Sequence, residues 1–153
     1  MRYAGWWQRV GASLIDGLIG IAFAAPGLIA FIAGPKTIDS CSRFDGSPGL
    51  CEVPTGGTIA LGVALYIIGA VSYAAIQIRK LARNGQTWGK QATGYRIVDA
   101  GTGGMIGTGR AIGRYFATTL SGCACYLGYL WPLWDSEKRT FHDMIVKTRA
   151  VRV

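Results

Sequence analysis

Three charged side chains stand where charge is expensive. Asp16 lies inside the first long apolar stretch, Arg9 lies seven residues before it, and Asp143 follows the last apolar stretch. Seven residues are two helical turns, so Arg9 and Asp16 share a face. A carboxylate in hydrocarbon costs at least about 2.5 kcal/mol, so it faces a partner, a water-filled cavity or a transported ion. Two chemistries fit. Asp16 could titrate or hold an ion while Arg9 tunes it. Alternatively the pair is buried glue that fixes helix register, completed by Asp143, His142 or Arg114. His142 beside Asp143 also has the makings of a proton relay, because imidazole titrates near neutrality. The competing reading is hydrogen bonding of this pair to the segment Gln86–Lys90.

The elements that must position these groups read as membrane spans. Half of the 153 residues are hydrophobic, only 16% are charged, and 23 are glycine. That composition suits helices whose backbones approach closely in lipid. The spans fall at about 7–33, 58–78 and 111–134. The net charge of +8 is unevenly placed. Arg2 and Arg9 precede the first span, and Arg79, Lys80, Arg83, Lys90, Arg96 and Arg110 fill the segment 79–110. Lys138, Arg139, Lys147, Arg149 and Arg152 close the tail 135–153, whereas the loop 34–57 has only Lys36 and Arg43 against three acids. Basic residues flanking spans mark the cytoplasmic side. The expectation is therefore a multi-pass protein of the bacterial plasma (inner) membrane with its N-terminus in the cytoplasm and the bilayer as partner, not a nucleic-acid binder. Arg2, Arg9 and Ala22-Phe23-Ala24 imitate a signal peptide, but Asp16 interrupts the apolar run, which continues to Ala33. A retained helix is expected.

Gly20 and Ala24 in the first span, and Gly62, Tyr66, Gly69 and Tyr73 in the second, form small-residue and aromatic faces for helix contact. Gly109, Gly113 and Ala117 form a third. Pro26-Gly27 should kink the first helix. The loop 34–57 is extracytoplasmic in this topology, where a Cys41–Cys51 disulfide is expected and two free thiols are the alternative. Gln86–Gly94 has helical spacing and suits an interfacial helix; Tyr95–Asp99 alternates as a short strand, and Ala100–Gly109 is a glycine-rich turn. Thr148–Val153 also alternates and could pair with Tyr95–Asp99 only from the same side of the membrane. A single crossing by 111–134 would separate the two, whereas a break at Ser121-Gly122 would allow a re-entrant hairpin. Cys123 and Cys125 read as buried apolar thiols.

Catalytic and cofactor sets are wanting. Gly101-x-Gly103 would need glycine where Ile106 stands, and Gly85-x-x-x-Gly89-Lys90 lacks the spacing and hydroxyl of a phosphate loop. A lone histidine and four cysteines offer no zinc spacing, and no nucleophile–base set occurs. No enzyme activity, cofactor or metal is expected.

Four ordered motifs resemble the RDD family of small bacterial membrane proteins. Tyr3–Asp16 resembles the family's opening, with its Arg9 and first Asp. Gly85-Gln86-Thr87-Trp88-Gly89-Lys90 resembles the Q-T-x-G-K segment, and Gly94–Asp99 the strand after it. Lys138–Thr148 resembles the closing motif, with Asp143 as the second Asp, departing at Val146-Lys147, where the family has small residues. The resemblance implies a membrane family for which transport, and in some members sodium/proton antiport, has been proposed. The expected architecture is an all-α membrane protein with two full transmembrane helices, a third span or re-entrant hairpin, a short cytoplasmic interfacial helix and a small strand pair. The functional expectation is ion or small-solute transport linked to the Arg/Asp residues, in a homo-oligomer because so few spans make a poor path. The alternative is an accessory subunit packed against a larger membrane complex.

Overall fold

A computed structural model describes residues 2–123, 131–133, 135 and 138–153. In chain order the elements are α1 (Trp6–Ala33), β1 (Lys36–Ser42), β2 (Pro48–Pro54), α2 (Gly56–Asn84), α3 (Trp88–Ala92), β3 (Tyr95–Asp99), α4 (Gly107–Cys123), a 3-10 turn at Trp131–Leu133, α5 (Phe141–Ile145) and β4 (Thr148–Arg152). Two of them, α1 and α2, are long and apolar enough to cross a bilayer, with mean hydropathy of 2.0 and 2.2. Leu14, Leu18, Ile21, Ile32, Ile67, Ile68 and Val71 stand exposed along them, a surface that only lipid or another protein could cover favourably.

The chain divides into two compact units, residues 20–73 and residues 2–19 with 74–153. In the first of these, the faces legible in the sequence meet. A Cβ on Gly27 would strike Gly62 and Tyr66 at 2.8 Å, one on Gly62 would strike Phe31 at 2.8 Å, and one on Gly69 would overlap the Phe23 carbonyl. Gly20 packs on the Tyr73 ring at 3.5 Å from the same virtual atom. Glycine at these places lets two backbones touch, which is how helices associate in lipid without a hydrophobic driving force. The segment 34–57 departs from the expected loop. It is a hairpin, β1 against β2, in register Asp39↔Cys51 and Cys41↔Gly49, and the Cys41–Cys51 disulfide spans it with Cα atoms 5.9 Å apart. The alternation across Lys36–Ser42 is weak, and so the strand is not visible in the pattern.

The other unit has a small core: Ala4, Ala12, Leu81, Tyr95, Ile97, Ile106, Ala111 and Ala150. As expected, β3 and β4 pair, antiparallel and centred on Ile97↔Ala150. Tyr3 bridges to Val151 on the other edge of β4. Paired strands lie on one side of any membrane, so a single crossing between them is excluded. The helix α4 is shorter than the expected span 111–134 and is not a third apolar span among the described residues. It also runs unbroken through Ser121-Gly122, so no hairpin turn occurs there. The rest of that segment, with the expected thiol sites at Cys123 and Cys125, lies outside the described side chains. Gly113 packs on Val146, but Gly109 faces open space, so the α4 stripe is only partly used. Two strand pairs make the fold mostly helical rather than all-α.

Candidate functional site

The charged residues gather into two clusters. Their frame is a repeated unit that sequence reading missed. Thr87 caps α3, Gly94 follows in the left-handed region at φ 69°, and β3 begins. Thr140 stands in the same place before α5, Lys147 follows at φ 51°, and β4 begins. Each threonine precedes its left-handed residue by seven positions and its unit's third helical residue, Lys90 or Asp143, by three. The register centred on the middle of both strands is what a two-fold arrangement of such units requires. Its sequence signal is faint: the threonine, an aromatic residue after it (Trp88, Phe141), an arginine (Arg96, Arg149) and a valine (Val98, Val151) recur at equal offsets.

The third helical residues carry opposite charges, and each meets the opposite charge on α1. Asp143 is fully buried. Its Oδ2 accepts from Arg9 Nη1 at 2.6 Å and from the Thr140 N–H at 3.1 Å, and its Oδ1 is paired with Arg114. Arg114 also donates to Thr148 Oγ1 at 2.5 Å, and Arg9 donates to the Lys138 carbonyl at 2.7 Å. Two turns along α1, Asp16 takes the other unit. Its Oδ1 accepts from the Gly89 N–H at 2.8 Å and from Gln77 Nε2 at 3.1 Å. Its Oδ2 accepts from Thr87 Oγ1 at 2.5 Å and lies 3.7 Å from Lys90 Nζ. Gln86 ties its amide to the Tyr95 carbonyl at 2.9 Å. Gly89 lies so close to α1 that a Cβ would overlap the Ala12 carbonyl.

Arg9 and Asp16 thus share a helix face, as expected, but not a bond. Of the residues singled out in the sequence, Arg9, Arg114 and Asp143 form one cluster, and Asp16, Thr87, Gly89 and Lys90 the other. Gln77, one residue before the expected end of the second span, was missed, although an amide in an otherwise apolar span is a signal that could have found it.

Electrostatics separate the clusters further. Burial alone would raise the Asp143 carboxyl, but Arg114 and Arg9 overcome it and hold it far below the usual carboxylate range. His142, also buried, is pushed down to about 3 by burial and then by Arg114. It is a neutral imidazole at neutral pH, which argues against a proton relay with Asp143. Lys90 is lowered to about 8, first by burial, against the opposing pull of Asp16.

The His142 shift sets a pH dependence. The unfolded imidazole takes a proton near 6.5 and the folded one only near 3. Between those values the unfolded state binds more protons, so stability falls as pH falls. The thermal midpoint of detergent-solubilised protein should decline from pH 6.5 downward, and more steeply below the ordinary aspartate range as Asp143 adds its own loss. His142→Gln should flatten the limb above pH 4; an unchanged limb would refute the assignment.

With the geometry in place, comparison with known proteins is decisive on one point. The model of the RDD family matches residues 3–147. The chain belongs to the RDD family. It is an RDD membrane protein, 30% identical to the uncharacterized protein YxaI of Bacillus subtilis over 97% of this chain and 96% of that one. It is 24% identical to the proline-rich antigen homolog of Mycobacterium tuberculosis over 99% of this chain, and 26% identical to the proline-rich antigen of Mycobacterium leprae over 95%. It spans 64% and 59% of the length of those two mycobacterial proteins. No solved structure matches.

Proposed function

We propose that this RDD protein carries an ion or small solute across the bacterial plasma membrane, with its basic unit in the cytoplasm. Asp16 and Lys90 form the exchanging site, and Arg9, Asp143 and Arg114 form the frame that holds it. The observation that carries the reading is unequal enclosure. The Asp143 side chain is sealed at 0% exposure, while Asp16 and Lys90 keep 14% and 17%. A carboxylate held by two arginines and a backbone N–H cannot release or accept a cation near neutrality. An ammonium lowered to about 8 can lose its proton in the working range. Loss of that proton leaves Asp16 short of a counter-charge, and a cation arriving there would restore it. Proton release and cation uptake are thereby linked at one site. Two helices long and apolar enough to span make a narrow path, so the carrier works as a homo-oligomer.

Proteoliposomes containing the full chain and a trapped pH dye test this. An inward cation gradient should drive proton flux that rises through about pH 8, following Lys90. Asp16→Asn should reduce the flux to background while leaving the assembled protein intact, because the amide oxygen still accepts from Gly89. Undiminished flux in that variant would overturn the assignment. Wild-type vesicles without flux, with a stoichiometric membrane partner after gentle purification, would replace it by the accessory-subunit reading.

A further inference from the structure

A cleft of about 470 Å³ opens beside Asp143, and the transport reading makes no use of it. Its walls are the β3–α4 turn, the first turn of α4, the stretch before α5, and the α5–β4 turn. Arg110, Arg139 and Lys147 line it together with Asp99 and Asp143. The acids are already committed. Asp99 accepts from the N–H groups of Gly101 at 2.8 Å and Thr102 at 2.9 Å and is paired with Arg110. Asp143 is held by Arg9 and Arg114. Arg139 is held beside the cleft by Asp135 at 3.0 Å. Among the described residues around the opening and just behind it, five cations face three carboxylates, which leaves this set positive.

Lys147 is the telling residue. It makes no ion pair among the described residues, and it stands in the left-handed region at φ 51°. The matching position of the other repeat is Gly94, at φ 69°, the residue that this backbone favours. A lysine there is strained, and nothing in the turn requires its side chain, since its backbone alone serves the contacts with Met144 and Ala100. Lys138 shares that backbone at φ 51° without lining the cleft; Lys147 combines the strain with a place in a positive wall, a combination found at ligand clamps. The two guanidinium forks and the ammonium suit a tetrahedral polyoxyanion. Beside the cleft, α5 turns Phe141 and Ile145 outward, at 47% and 63% exposure, so an apolar face adjoins the charged one.

We propose that this cleft binds a phosphate group, supplied either by an anionic phospholipid headgroup or by phosphate in solution. Asp99 and Asp135 hold Arg110 and Arg139 in place, and Lys147 completes the positive set.

The test uses the full chain in nanodiscs. In one arm, discs of phosphatidylcholine with phosphatidylglycerol are released into the mass spectrometer and retained lipid is counted. In the other, discs of phosphatidylcholine alone are titrated calorimetrically with inorganic phosphate. Retained phosphatidylglycerol assigns the cleft to lipid; phosphate binding in neutral discs assigns it to the soluble ion. In whichever arm binds, Lys147→Gly should weaken binding about tenfold or more, the loss of one charge-assisted hydrogen bond, and Lys147→Arg should retain it. Glycine suits this backbone, so the variant should fold at least as well as the parent; Lys147→Asn, which also tolerates the left-handed region, is the second variant. Binding in neither arm, or binding indifferent to the loss of the Lys147 charge, overturns the proposal.

Discussion

Asp143→Asn will not yield a stable protein. The carboxylate is the shared counter-ion of Arg9 and Arg114, both nearly as buried as itself. Removing one member of a buried ionic set leaves the remaining charges desolvated and unpaired, at a cost of about 3–5 kcal/mol. Here two guanidinium groups lose their partner at once. The Thr140 N–H that Asp143 accepts also loses a charged acceptor, so the start of α5 and the β4 strand beyond it loosen together. A typical domain has only about 5–15 kcal/mol of stability, and a small, half-polar core has little to spare. Detergent-resistant, monodisperse protein should be recovered in low yield, with a lowered thermal midpoint. The control is Glu52→Gln, which breaks the Lys36–Glu52 pair at 3.8 Å on the exposed hairpin. That pair is worth less than about 1 kcal/mol, so its loss should be close to silent. Equal behaviour of the two variants would mean that the buried cluster does not hold the fold.

Gly89→Ala should be nearly as damaging, for a steric reason. A Cβ there would overlap the Ala12 carbonyl and come within 2.9 Å of the Asp16 carboxyl carbon. Neither obstacle is the end of a flexible chain, so α3 must move away from α1. Overpacking costs about 1–3 kcal/mol. The movement also opens the Gly89 N–H and Thr87 hydroxyl bonds to Asp16, and hydrogen bonds to a charged group contribute about 1.5–3 kcal/mol each. The variant should show a lowered thermal midpoint and a changed emission from Trp88, the neighbour that begins α3. Gly109→Ala is the matched control: its Cβ meets open space, and in a helix the exchange should stabilise by up to about 1 kcal/mol. A Gly89→Ala protein as stable as that control would show that α3 does not rest on α1 through this residue.

These two residues illustrate how legible the site was. Gly89, Asp143 and Arg114 could be picked out from motif and charge, but neither the carbonyl that Gly89 touches nor the pairing of Arg114 with Asp143 has a signature in the chain. Arg9 and Asp16 mislead in an instructive way. Their spacing correctly puts them on one face, and proximity along a face invites pairing. In the fold each is matched instead by the third residue of a short helix that arrives from elsewhere, Asp143 for Arg9 and Lys90 for Asp16.

The sequence by itself determined the two apolar helices, because hydropathy over a span is a local sum. It determined the close-packed face of Gly62, Tyr66, Gly69 and Tyr73, because helical period is local too. It also supplied the four ordered motifs that mark the family. The tertiary structure alone decided which charge answers which, and it brought β4 back beside β3, a pairing that the sequence left conditional on both lying on one side. Both depend on contacts between residues tens of positions apart. Such contacts are chosen by the cost of burying charge and backbone polar groups in the whole fold, and no window of the chain contains that sum.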